Sequence, residues 1–224
     1  MEINKYIEHT NLKSNLIEID IVNLCEETLK YDFCNVCILP TWIKFAKSYF
    51  GTTALEICTV IGFPLGNQWT ALKEKETSMA LEFGAREIDV VINVSDVLQG
   101  KWQKVRDEIR ALKEIVTLIP TAKLKIIFET CYLKNEDIIY LCKLCIEEKV
   151  DFVKTSTGYG PEGATLTNVA MMYQVCKDKI EIKASGGIKS LSSCLEFIQA
   201  GANRIGTSHG VAIINEYQQK LVKL

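Results

Sequence analysis

The chain has 224 residues, of which 48% are apolar and 24% charged, and its formal net charge is -2. That suffices for one α/β domain with a full core, and no block of like charges marks a surface for nucleic acid. No apolar run approaches the ~18 residues that a membrane-spanning helix needs.

The segment Met1-Glu2-Ile3-Asn4-Lys5 carries charges of both signs and leads into no apolar stretch, so it does not read as a secretion signal. A cytoplasmic location is expected. The nine cysteines fit that expectation, because an odd count without a secretion signal argues against a disulfide scaffold. Two Cys-x-x-Cys pairs, Cys34/Cys37 and Cys142/Cys145, raise zinc or redox chemistry as a rival reading. They lie much farther apart than the roughly 15–20 residues that separate the halves of a zinc site. Cys142 and Cys145 also stand three apart in an apolar helical pattern, where thiols serve as small core fillers.

In chain order, short apolar runs alternate with longer amphipathic stretches. A strand over 6–8 precedes a helix over 16–31, and strands over 35–39 and 56–61 flank a helix over 42–48. A helix over 70–83 leads to a strand over 87–93, and a helix over 102–119 to a strand over 124–129. Helices over 135–148, 167–175 and 191–200 lead to strands over 151–155, 180–184 and 204–206, and a helix over 211–221 closes the pattern. Runs such as Ile88-Asp89-Val90-Val91-Ile92 and Leu124-Lys125-Ile126-Ile127-Phe128 are nearly continuous hydrophobics, as a parallel sheet covered on both faces requires. Asn135 is the expected N-cap of its helix, with Glu136 and Asp137 in the first turn. Gly84 and Gly201 follow their helices where a left-handed terminal residue belongs. Eight strands alternating with eight helices in ~200–250 residues predict a single α/β domain over 1–224, a (β/α)8 TIM barrel. An open doubly wound sheet is the alternative, but no Gly-x-Gly-x-x-Gly follows the first strand.

In such a barrel the active site lies at the C-terminal ends of the strands. Three lysines fall within strand runs. Lys125 stands early in its strand and is expected to reach solvent at the opposite end. Lys154 leads into Thr155-Ser156-Thr157-Gly158, and Lys183 into Ala184-Ser185-Gly186-Gly187. They belong to consecutive strands and can stand side by side. Two desolvated amines close together disfavour their charged forms, so one pKa should fall. A neutral lysine attacks carbonyl carbon. Alternatively, one or both point outward and pair with a carboxylate. Asp89 interrupts a central apolar strand, and a buried carboxylate needs a partner that either lysine could supply. The turns Gly186-Gly187 and Gly206-Thr207-Ser208-His209-Gly210 follow the seventh and eighth strands, where barrels bind phosphate on exposed backbone N–H groups. His9 and His209 form no triad pattern, and the chain has neither a Gly-x-Ser-x-Gly elbow nor a His-Glu-x-x-His helix.

These segments resemble the deoxyribose-phosphate aldolases. Asp151-Phe152-Val153-Lys154-Thr155-Ser156-Thr157-Gly158 is similar to their Schiff-base lysine motif, and Ile182-Lys183-Ala184-Ser185-Gly186-Gly187-Ile188 to the motif of their second active-site lysine. Glu87-Ile88-Asp89-Val90-Val91-Ile92-Asn93 is similar to the strand that carries their catalytic aspartate. Val60-Ile61-Gly62-Phe63-Pro64-Leu65-Gly66, Phe128-Glu129-Thr130-Cys131-Tyr132-Leu133 and Arg204-Ile205-Gly206-Thr207-Ser208 match as well, in family order over nearly the whole chain.

The resemblance implies a class I aldolase that reversibly cleaves 2-deoxy-D-ribose 5-phosphate to D-glyceraldehyde 3-phosphate and acetaldehyde, with no metal or organic cofactor. It implies Lys154 as the imine-forming residue, Lys183 as the group that lowers its pKa, and Asp89 as their partner in proton transfer through water. Glu8, Thr10, Cys37, Thr155 and Thr157 would face the substrate, and Gly186, Gly187, Gly206, Ser208 and His209 its phosphate. The expected partners are a small sugar phosphate and a second copy of the chain, with neither nucleic acid nor membrane. Two positions depart from the pattern: Glu8 stands where the family usually has aspartate, and His209 where it usually has a second serine. A Schiff-base barrel acting on another sugar phosphate or a keto acid is the nearest rival.

Overall fold

The computed structural model describes residues 1–51, 53 and 56–221. Eight strands run parallel: β1 (Ile7–Asn11), β2 (Asn35–Ile38), β3 (Glu56–Ile61), β4 (Glu87–Val91), β5 (Lys123–Ile127), β6 (Phe152–Lys154), β7 (Glu181–Ser185) and β8 (Arg204–Thr207). Each pairs with the next, and β8 pairs back to β1, so the sheet closes into a barrel with no free edge. The helices among the described residues are α1 (Glu18–Tyr31), α2 (Ile43–Phe50), α3 (Thr70–Phe83), α4 (Val94–Leu98), α5 (Trp102–Thr117), α6 (Asn135–Glu147), α7 (Leu166–Cys176), α8 (Leu191–Gln199) and α9 (Gly210–Leu221). The architecture is the expected (β/α)8 barrel. None of the helices is long and apolar enough to cross a membrane.

The differences from expectation are local. Tyr6 ends a 3-10 turn, and β1 runs on through Thr10 and Asn11 because their backbones pair with Cys37 and Ile38. Polar side chains at a strand's C-terminal end read as loop, yet ladder pairing carries the strand through them. The short helix α4 was not anticipated; the Asn93 side chain caps it by accepting from the Ser95 N–H. Asn135 is the first residue of α6 rather than its N-cap. Lys134 holds the cap position, and its N–H donates to the Asp137 carboxylate at 3.3 Å.

Strand residues alternate between two environments. Ile88, Val90, Leu124, Ile126, Val153, Ile182 and Ile205 face outward and join the helices in one large apolar core. Each such side chain, fully buried, contributes roughly 1.5–3 kcal/mol. The inward positions between them are different. Cys37, Cys58 and Val60 form a small separate cluster with Leu12, and around it the interior holds buried charges, Glu8, Glu87, Asp89, Lys125, Lys154 and Lys183. One more ion pair steadies the frame around β4: fully buried Lys73 on α3 donates to Glu108 on α5 and to the Val91 carbonyl, each at 2.8 Å. This anchors the strand end just beyond Asp89.

Lys125 corrects an expectation. It does not reach solvent; it is 0% exposed and lies in the barrel interior. Leu124 and Ile126 take the outward positions on β5, which leaves Lys125 facing in. Its ladder partner on β4 is Asp89, so the interior supplies the counter-charge that solvent would otherwise provide.

Candidate active site

Lys154 on β6 and Lys183 on β7 are ladder partners, so their side chains stand side by side on the inner face. Asp89 reaches them from β4. Its Oδ2 accepts from Lys154 Nζ at 2.7 Å and from Lys183 Nζ at 2.6 Å. Its other oxygen accepts from Lys125 Nζ at 2.8 Å. All four residues are almost wholly buried.

Below them the network continues. Lys125 Nζ also meets Glu87 at 2.5 Å and Glu8 at 3.4 Å. Glu8 accepts a short hydrogen bond from Lys183. Arg204, from the start of β8, reaches Glu87 at 3.1 Å and Glu8 at 3.3 Å. The interior thus collects three carboxylates, Glu8, Glu87 and Asp89, against four bases, Lys125, Lys154, Lys183 and Arg204. With every group ionised there is one positive charge too many. In a desolvated space that excess is relieved when one amine gives up its proton.

The directions of the pKa shifts locate that amine. Burial tends to lower Lys154, but attraction to Asp89 and Cys37 and the Asp89 hydrogen bond outweigh it, leaving Lys154 above the ordinary lysine value. Burial, reinforced by repulsion from Arg204, holds Lys183 well below it. The expectation was that Lys183 depresses Lys154; in the resting arrangement the depression falls on Lys183 itself. Asp89 is pushed up by burial, but Lys125 and Lys154 overcome this and hold its carboxyl at about 2. Lys125 stays protonated: burial opposes its charge, and Asp89, Cys58 and Glu87 raise it well above the usual lysine value.

Above the network a pocket of about 210 Å³ opens at the C-terminal ends of the strands. Lys154, Lys183, Thr10 and Thr157 line it, as do Gly186, Gly187, Gly206, Ser208 and His209. Three expected residues lie elsewhere. Glu8 is part of the ionic layer beneath. Cys37 is fully buried with Cys58 and Leu12. Thr155 uses its hydroxyl between β6 and β7, donating to the Ser185 carbonyl at 3.3 Å and accepting from the Ser185 N–H at 3.2 Å.

Glu8, Cys37, Cys58 and Asp89 offer atoms within 4.8 Å of one another, the spacing of a loose metal cluster among the described residues. A cation fits poorly there, because Asp89 and Glu8 already accept from three ammonium groups. Burial and the neighbouring Cys37 and Asp89 push the Cys58 thiol well above its usual value, whereas a metal needs the thiolate. The Cys-x-x-Cys pairs do not make sites either. Cys34 Sγ donates to the Ile7 carbonyl at 2.8 Å while Cys37 faces the interior, and Cys142 and Cys145 fill the helix-covered core.

A family model described as DeoC/LacD family aldolase matches residues 3–216. The chain belongs to the DeoC/LacD family of aldolases. The deoxyribose-phosphate aldolase of Mannheimia succiniciproducens is 44% identical to it over 217 residues, covering 97% of this chain and 96% of the relative. That of Caldicellulosiruptor saccharolyticus is 45% identical over 215 residues, covering 96% and 98%. Among solved structures, an aldolase designated QR15 superimposes with a TM-score of 0.93 at 38% identity, over 100% of this chain and 99% of that one. The tetrameric deoxyribose phosphate aldolase of Aeropyrum pernix gives a TM-score of 0.89 at 28% identity, over 96% and 91%.

In this DeoC/LacD aldolase several site residues went unread in the sequence, and Lys125 was read as reaching solvent. Glu87, Lys125 and Arg204 complete the ionic layer, and Lys13 and Lys189 bring two exposed cations to the rim beside the glycine turns. Strand alternation could have found the first two, since Glu87 shares the parity of Asp89 and Lys125 alternates with Leu124 and Ile126. Lys13 and Lys189 sit on loops, where no periodicity reports direction.

Proposed function

We propose that this chain cleaves 2-deoxy-D-ribose 5-phosphate, reversibly, to D-glyceraldehyde 3-phosphate and acetaldehyde through an imine on Lys154. One observation carries the reading: two buried amines share a single carboxylate oxygen directly beneath a pocket whose far side is lined by glycine turns and cations. The relatives' shared name and the family's aldolase chemistry support the substrate.

The steps follow from the charges. A protonated Lys154 is not a nucleophile. Asp89 Oδ2 accepts from both nitrogens, so the proton that Lys154 must lose before it attacks has a path through this carboxylate to Lys183. The freed amine adds to the C1 aldehyde, and loss of water gives a cationic imine. Five carbons divide into three and two, so the bond that breaks is C2–C3. Its electron pair passes into the imine as an enamine while the C3 hydroxyl loses its proton and becomes the aldehyde of glyceraldehyde 3-phosphate. The Asp89–Lys183 pair is placed to hold protons through this sequence and return one to C2. Hydrolysis of the new imine releases acetaldehyde and restores Lys154. Thr10 and Thr157 face the reacting end. Gly186, Gly187, Gly206, Ser208 and His209, with Lys13 and Lys189, receive the phosphate, remote from the bond that breaks, where binding energy serves orientation. Self-association of two chains and a cytoplasmic location belong to the same proposal.

The test is acetaldehyde release from 2-deoxyribose 5-phosphate, measured beside ribose 5-phosphate, fructose 1,6-bisphosphate and a 2-keto-3-deoxy acid phosphate. Turnover of the deoxy sugar well above the others is expected; preference for another substrate overturns the reading. Lys189→Ala should raise KM for the phosphorylated sugar roughly tenfold, as one exposed charge-assisted contact is lost, with little change in kcat.

Lys183→Leu separates the two amines. Asp89 Oδ2 is then left to Lys154 alone and the proton acceptor is gone, so Lys154 keeps its proton to higher pH. The pH profile of borohydride trapping with acetaldehyde should move to the alkaline side by about one unit or more. An unmoved profile rejects the coupling.

A further inference from the structure

Glu129 is a buried carboxylate that the steps above do not use. It follows β5, is 4% exposed, and has no cationic partner among the described residues. Its backbone is left-handed, at φ 54°, a conformation that disfavours a side chain of this size. What holds it is Thr157. The Thr157 N–H donates to the carboxylate at 3.2 and 3.3 Å, and the Thr157 hydroxyl donates a short hydrogen bond to Oε2.

The connection continues across the mouth. Thr157 Oγ1 accepts from the Tyr159 N–H at 3.0 Å. The Tyr159 hydroxyl donates to the Leu12 carbonyl at 2.6 Å, and its ring meets Phe63 edge-on at 5.3 Å. Gly160 packs so close to Glu129 that an added side chain would press on the carboxylate. Residues 157–159 therefore form a wall of the pocket, tied to β5 at one end and to the loop after β1 at the other.

A carboxylate can only accept. Once the Thr157 proton points to Glu129 and one lone pair takes the Tyr159 N–H, the oxygen is left with one free lone pair. We propose that Glu129 is a positioning residue: it fixes Thr157 as a pure hydrogen-bond acceptor for a hydroxyl of the sugar phosphate and holds the 157–159 wall over Lys154. The inference rests on the deoxyribose phosphate reading, and it assigns Glu129 no contact with substrate.

Glu129→Gln tests it. The glutamine has the same length; with its carbonyl oxygen taken by the Thr157 N–H, its NH2 faces the Thr157 hydroxyl and turns that hydroxyl into a donor. Two readouts divide the possibilities. Cleavage of 2-deoxyribose 5-phosphate, which needs the acceptor, should fall roughly 10- to 100-fold in kcat/KM. Borohydride trapping of acetaldehyde on Lys154, a substrate with no hydroxyl, should stay within about twofold. An equal fall in both, or no fall in cleavage, overturns the proposal. If Glu129→Gln does not fold, as judged by circular dichroism, Thr157→Val takes its place with the same split expected and Thr157→Ser restoring cleavage. Loss of both activities in Thr157→Val, or of neither, is equally fatal. A wild type that traps acetaldehyde but does not cleave the sugar phosphate removes the substrate reading, and the acceptor role goes with it.

Discussion

Lys154→Leu should abolish borohydride-trapped adduct and lower kcat for sugar phosphate cleavage on the order of 10⁴-fold or more, since covalent catalysis leaves no parallel route of similar rate. The variant should still fold. Among the described residues Lys154 pairs with one carboxylate alone, Asp89, so its removal leaves no buried acid without a cation. Asp89 keeps Lys125 at 2.8 Å and Lys183 at 2.6 Å. A mere tenfold loss of kcat, with adduct still formed, would place the nucleophile elsewhere. Lys183 would then be the candidate, because it is the amine that burial and Arg204 hold well below the ordinary value.

Lys125→Met should act on stability instead. Lys125 links the upper and lower parts of the network and touches Asp89, Glu87 and Glu8. Without it, Glu87 loses the ammonium at 2.5 Å and Asp89 the one at 2.8 Å, while both carboxylates stay buried. Breaking a buried pair from one side costs about 3–5 kcal/mol, which for a chain of this size lowers Tm by roughly 6–20 °C. Thermal unfolding measures it, and Lys125→Met combined with Glu87→Gln should recover part of the loss, as expected for coupled residues. A variant as stable as the parent would show that the charges are not held as described. The same network sets an acid limit. Asp89 is lowered to about 2 when folded, against an ordinary value of about 3.9. Its contribution is present above the unfolded value and is lost as pH falls from about 4 toward 2.

The fold was legible because outward strand positions and helix faces are both apolar. Runs such as Ile88-Asp89-Val90-Val91-Ile92 showed a sheet covered on both sides, and eight repeats of the alternation identified the barrel. Lys154 and Lys183 were legible from placement, each near the end of a strand and followed by glycine. Lys125 was misread for a physical reason. Its depth was judged by counting along one strand, but depth in a barrel depends on the stagger between strands, and β5 pairs Lys125 with Asp89. Glu8 was expected at the substrate and lies in the ionic layer beneath the pocket, where its carboxylate meets Lys183 and Arg204. The partners of Glu129 were beyond reach for a similar reason. Thr157 is 28 residues away, and only the neighbouring of β5 and β6 brings the two loops together.

The most direct test of two amines sharing one carboxylate, with 154 as the one that reacts, is peptide mapping after borohydride reduction of the wild type with acetaldehyde. A single ethyl group on the peptide containing Lys154, absent when borohydride is omitted, is the predicted result. An ethyl group on Lys183, or a mixture of surface lysines with neither buried amine labelled, contradicts it.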